Sequence, residues 1–227
     1  STINALLQGV YDGGKTFGML REHGDFGLGT FNTLDGEMVA VDGEFYQVPY
    51  DGRAVLADDS MKTPFAAVTF FEPDVSHNIS GMNLTALQAY IDENTPSENI
   101  FYAILVNGTF SYAKTRSVPA QEKPYPLLAD AVKNQSVFEF HNVTGILVGF
   151  KSPKYVDGGI NVAGYHLHFL TTDRTAGGHL LDVEAEEAVL QIDYTDGFMM
   201  ELPDTKEFLD IDLSGKKEEE LKAVEGR

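Results

Sequence analysis

The chain has 227 residues, 43% of them hydrophobic, with 15 Phe and 10 Tyr, which suits a folded, strand-rich protein with a substantial core and excludes a disordered one. Its 16 Lys and Arg against 35 Asp and Glu leave a net charge of −19, which repels nucleic acid and anionic membrane and makes neither a suitable partner. Cysteine is absent, so disulfides, thiolate metal sites and cysteine nucleophiles are excluded, and no run approaches the roughly 18 apolar residues of a membrane span. The same charge would repel a small anionic substrate, so binding one requires a local positive centre such as a metal or an arginine. No basic segment followed by an apolar run opens the sequence, and a cytoplasmic location is expected.

The first third reads as a meander, in which Asp35-Gly36, Asp42-Gly43 and Asp51-Gly52 separate short runs rich in Phe, Val and Tyr. Phe65 to Phe71 suits a buried strand. Leu84, Leu87 and Ile91 mark a helix face, with Asn83 as its cap and Pro96 beyond its end. Phe101–Val106 and Thr109–Thr115 flank Asn107-Gly108 and predict a hairpin whose second strand delivers Arg116. A short helix is expected from Pro126 to Val132, then a strand from Phe138 to Phe150 with Gly145 as a bulge, and a separate strand over Glu187–Tyr194. The tail from Ser214 is charged, with Lys216-Lys217-Glu218-Glu219-Glu220 as its densest run. These elements predict an α+β fold with mixed, largely antiparallel sheets. The Pro-rich stretch Val118–Pro126 marks an expected boundary between a β-rich part over 1–120 and a part over 121–227 that carries the metal site and whose tail, 214–227, folds back; a single compact unit is the alternative.

The strongest chemical signal is Gly164-Tyr165-His166-Leu167-His168-Phe169, followed by Gly178-His179: three of six histidines within fourteen residues. On a strand, His166 and His168 share a face, and the turn-forming residues 171–178 can return the chain so that His179 meets them. Three neutral imidazoles on one side suit a zinc with an open position for water or substrate, and the hairpin predicts such a site. Separate, hydrogen-bonded histidines would fit the same spacing. His23, His77 and His141 stand alone and read as structural. Asp25-Phe26-Gly27 imitates a kinase motif without its companions, and Gly24, Gly27 and Gly29 lack dinucleotide-loop spacing. Spacing alone would leave Glu37 as a solvated turn carboxylate, Arg116 in a surface salt bridge, and Glu225 at a frayed end.

The blocks His23-Gly-Asp-Phe-Gly-Leu-Gly-Thr-Phe-Asn32, Leu34-Asp-Gly-Glu-Met38, Thr63-Pro-Phe-Ala66, Thr115-Arg-Ser-Val-Pro119 and Gly164–Phe169 with Gly177-Gly-His179 change that assessment. Together, and in this order, they resemble alpha-acetolactate decarboxylases from about Leu7 to Glu225. The resemblance implies a two-part α/β subunit, a homodimer formed through the sheets, and Zn2+ held by His166, His168 and His179. It places Glu37, Arg116 and Glu225 around the metal as catalytic residues, with Thr30 beside the substrate. The implied reaction converts 2-acetolactate to (R)-acetoin and CO2, with zinc chelating the ketone and hydroxyl and stabilising the enediolate. Two other readings compete. A cupin-like metal barrel would want a carboxylate ligand soon after the H-x-H, where only Asp173 stands, within the predicted turn. A non-enzymatic module would close its metal with a fourth protein ligand.

Overall fold

The structure is a computed structural model that describes residues 1–215 and 217–225. Lys216 of the charged run lies outside the described residues. In chain order, helix α1 (Ile3–Leu7), strand β1 (Lys15–Thr16) and helix α2 (Phe17–Arg21) precede strands β2 (Phe26–Thr30), β3 (Glu37–Val41), β4 (Glu44–Val48), β5 (Val55–Leu56), β6 (Lys62–Thr63) and β7 (Ala66–Thr69). Strand β8 (Val75–Asn83), helix α3 (Leu84–Glu93) and strand β9 (Phe101–Ser117) follow. Then come α4 (Leu128–Ala131), β10 (Ser136–Ser152), β11 (Gly164–Thr171), β12 (Gly177–Thr195), α5 (Lys206–Asp210) and α6 (Glu218–Glu225).

Two five-stranded sheets result, one ordered β5-β4-β3-β2-β7 and the other β11-β10-β9-β12-β8, beside a small β1–β6 ribbon. Every pairing between named strands is antiparallel. Asp42 and Gly43, both at positive φ (55° and 75°), make the tight turn from β3 to β4. In the second sheet β11 pairs with β12 as well as β10, so β9, β10, β11 and β12 close on one another.

Three predicted details differ from the observed chain. Asn107-Gly108 is not a turn: β9 continues through it for 17 residues. Gly108 pairs with Gly145 on one side and Ala188 on the other, and a Cβ on it would lie 2.3 Å from the Glu187 carbonyl oxygen. The glycine serves close strand approach, and pairing on both edges overrides its turn preference. Gly145 is no bulge either. It stays in register with Gly108 and Thr171, and its missing side chain makes room for the Phe169 ring, 2.3 Å from where a Cβ would sit. Glu187–Tyr194 is not separate, because one 19-residue strand, β12, runs from the third histidine through to it. The predicted helix at 84–91 forms as α3, capped by the Asn83 side chain, which accepts from the Ala86 N–H.

The long sheet is covered on both faces. Ile104, Val106, Phe110 and Leu147 pack with Leu87 and Ile91 of α3, while Ala103, Ile146, Val148 and Leu170 pack against Phe26, Leu28, Val39 and Val48 of the first sheet. A third core joins α1, α4 and α6 through Ile3, Leu6, Leu7, Leu128, Leu221 and Val224. Each such fully buried aliphatic side chain contributes roughly 1.5–3 kcal/mol. No described helix is long and apolar enough to cross a membrane.

Candidate metal centre and active site

Alternation along β11 sends His166 and His168 to the same face as Leu170, which packs against the first sheet. The chain then turns through 172–176. The Thr171 hydroxyl bonds Asp173, whose carboxylate also accepts from the Thr175 N–H, and Arg174 takes a positive φ of 60°. That turn sets the register in which His179 faces His168 across β11 and β12. Gly178 (φ 137°) permits it, since a Cβ there would lie 2.5 Å from the Arg116 carbonyl oxygen. On the far side of His179 stands Arg116 of β9, so His168, His179 and Arg116 lie side by side on three strands.

The aim of Arg116 depends on an irregularity in β9 and β10. Phe110 and Ala113, three residues apart, enter the same core, as do Phe140 and Val143, with Asn142 between the latter at φ 51°. Strict alternation would keep Arg116 on the face of Phe110, under α3; the shift turns it toward the first sheet.

The three imidazole rings form a near-equilateral triangle, with centroid separations of 5.2, 5.2 and 5.3 Å, and offer nitrogens all within 4.8 Å of one another. His168 is 1% exposed, and its Nδ1–H donates to the Met38 carbonyl at 2.8 Å. Its Nε2 is therefore an unprotonated acceptor, buried and without a hydrogen-bond partner among the described residues. A buried lone pair left open in this way, on a ring oriented by a backbone carbonyl, fits a metal ligand. Burial, then the neighbouring His166, hold the His168 pKa well below its usual 6.5, which keeps the ring in the metal-binding form. Three nitrogen donors with no thiolate suit zinc.

The first sheet supplies the facing wall. Thr30 of β2 and Glu37 of β3 are directly paired, and the Thr30 hydroxyl donates to the Gly36 carbonyl at 2.7 Å. Glu37 Oε2 lies 3.6 Å from His168 Nε2. Burial raises the Glu37 carboxyl to about 7, against the lowering influence of Arg116 and with the help of Glu225. Helix α6 brings Glu225, whose Oε2 lies 3.9 Å from His179 Nε2. Thr30, Glu37, Arg116, His166, His168, His179 and Glu225 thus line one cavity. The cavity also has an apolar wall, including Leu34, Phe65, Leu128 and Val132, which nothing in the sequence spacing singled out. Gln135, which accepts from Arg116 Nη1 at 3.3 Å, was also missed.

The other three histidines have contacts elsewhere: His77 with Tyr90, His141 with Tyr112, and His23 4.0 Å from Glu201. Asp173, the carboxylate that a cupin-like site would need, is committed to the turn. The arrangement offers three nitrogens that could hold a metal, with a buried guanidinium and two carboxyl groups around them, which suits chemistry that develops and then quenches negative charge.

Comparison with known proteins agrees with that chemistry. The sequence profile of alpha-acetolactate decarboxylase matches residues 1–215. The chain is 54% identical over 226 residues to the alpha-acetolactate decarboxylase of Methanosarcina mazei, covering 99% of this chain and 78% of the relative. It is 48% identical to that of Methylococcus capsulatus, over 99% and 86%. The crystal structure of the Bacillus subtilis enzyme superposes with a TM-score of 0.97 at 41% identity, covering 100% of this chain and 97% of that one. The chain belongs to the alpha-acetolactate decarboxylase family and is a carboxy-lyase.

Proposed function

We propose that the enzyme converts 2-acetolactate to (R)-acetoin and CO2 with a zinc ion held by His166, His168 and His179. The observation that carries this reading is the buried Nε2 of His168, without a hydrogen-bond partner among the described residues, within a triangle of three imidazoles. When bound, zinc supplies a Lewis acid for the ketone and hydroxyl oxygens of the substrate, against which the charge left by departing CO2 is stabilised.

The chain's own residues do the rest. Arg116 binds the substrate carboxylate, offering a charged, planar fork inside a protein whose overall charge is repulsive. Thr30, its hydroxyl tied to Gly36, shapes the wall beside the substrate. Decarboxylation takes up one proton at the carbon that loses CO2, and Glu37 and Glu225 handle the protons at that carbon and at the hydroxyl. A carboxyl with a pKa of about 7 both holds and releases a proton near neutrality, which supports Glu37 in this role. Delivery from one side of a fixed substrate yields a single enantiomer. The apolar wall excludes water and accommodates the methyl groups. We read the working unit as a cytoplasmic homodimer joined through its sheets, for which the outer edge of β8 is available.

The test is acetoin formation from racemic 2-acetolactate, before and after chelation and after zinc is restored. Turnover lost with the metal and regained with zinc supports the reading; zinc-loaded, folded protein that yields no acetoin rejects it.

A further inference from the structure

Arg116 is 4% exposed, and a buried cation ordinarily takes a carboxylate partner. Here Glu37 and Glu225 lie 3.6 and 3.9 Å from His168 and His179, Arg116 acts on the Glu37 carboxyl through space, and a hydrogen bond of the guanidinium runs from Nη1 to Oε1 of Gln135. The guanidinium can only donate, so the amide oxygen faces it. Nε of Arg116 is buried and makes no hydrogen bond among the described residues. Gln135 is itself well placed: its N–H donates to Val132, a cavity-lining residue, at 3.1 Å. Strand β10 then starts at once, with Ser136 opposite Ser117 and Val137 opposite Arg116. The residue holding the guanidinium is thus fixed to the cavity rim and to the strand beside Arg116.

We infer that Gln135 is a positioning residue for Arg116, one that orients the guanidinium into the cavity with a neutral acceptor and so leaves its charge for an anionic substrate. A glutamate there would orient Arg116 equally well but neutralise it, because the two groups differ in charge far more than in shape. The inference rests on the reading that Arg116 binds the substrate carboxylate.

The experiment compares Gln135→Ala, Gln135→Glu and Arg116→Gln with the parent enzyme, all matched for zinc content. Gln135→Ala should raise KM for 2-acetolactate about tenfold with a much smaller change in kcat, as expected for a lost charge-assisted hydrogen bond. Gln135→Glu should raise KM further than Ala does. Inhibition by acetoin, which lacks the carboxylate, should be unchanged in both. Recovery of the parent KM in Gln135→Glu would show that any acceptor suffices and overturn the inference. So would equal weakening of acetoin inhibition, the mark of a merely structural role. If Arg116→Gln leaves KM unaltered, the assignment of Arg116 fails and Gln135 falls with it. A strong effect of Arg116→Gln beside silent Gln135 variants would reject Gln135 alone.

Discussion

His168 is held from behind and left open in front. The Met38 carbonyl takes its Nδ1 proton, the first sheet buries the ring, and Nε2 faces the cavity. Removing that ring should abolish metal binding long before it threatens the fold, since the lost hydrogen bond is worth only about 0.5–1.5 kcal/mol. His168→Ala is therefore expected to lose zinc, measured by elemental analysis, and to lose turnover by about a hundredfold or more, while still unfolding cooperatively. A metal-loaded, active variant would remove His168 from the ligand set. Glu37 makes a prediction of the opposite kind, because its burial is a stability term. Its carboxyl titrates at about 7 in the fold against 4.5 ordinarily. Between those values the native state keeps a proton that the unfolded chain has released, so the Glu37 contribution to stability declines as pH rises. In chelator-treated protein, parent stability should fall relative to Glu37→Gln between pH 4.5 and 7, by at most about 3 kcal/mol. Urea titrations at several pH values measure this, and a pH-independent difference would contradict the shift.

At the scale of elements, the hairpin of β11 and β12 was legible because strand alternation and turn chemistry are local rules, and both held at His166, His168 and His179. The face of Arg116 was not legible. It depends on an irregularity near Ser111 and Asn142, two residues on different strands whose registration is a tertiary fact. The Asn107-Gly108 hairpin failed for a related reason, since sequence carries the turn preference but not the two strands that pair across it. Glu225 was found by family resemblance; the charged tail gave no local sign that α6 would dock. It docks through Leu221 and Val224, 2% and 5% exposed, against α1 and α4. Leu221→Ala should weaken that docking by about 2–5 kcal/mol. Because α6 supplies Glu225 but none of the three histidines, turnover should fall while zinc stoichiometry stays at the parent value. Loss of zinc along with activity would mean that the helix holds the metal site itself together.

At the scale of the whole molecule, the predicted division at residue 120 meets a sheet that crosses it. Strands β8 and β9 precede residue 120, yet β9 pairs with β10 over most of its length and with β12 on its other edge, and β8 pairs with β12. The site crosses it too, with Thr30, Glu37 and Arg116 before it and the histidines and Glu225 after it. A fragment of residues 1–120 would leave both edges of β9 unpaired, and 121–227 would lose the central strand that joins β10 to β12. Neither should fold alone or bind zinc tightly, and the intact chain should unfold in a single transition seen alike by far-ultraviolet circular dichroism and tyrosine fluorescence. Mixing the two fragments should recover acetoin-forming activity only to the extent that they reassemble the β9–β10 and β9–β12 pairings. An independently folded, zinc-binding 121–227 fragment would show instead that the histidine hairpin preorganises its own site without the Met38 carbonyl behind His168.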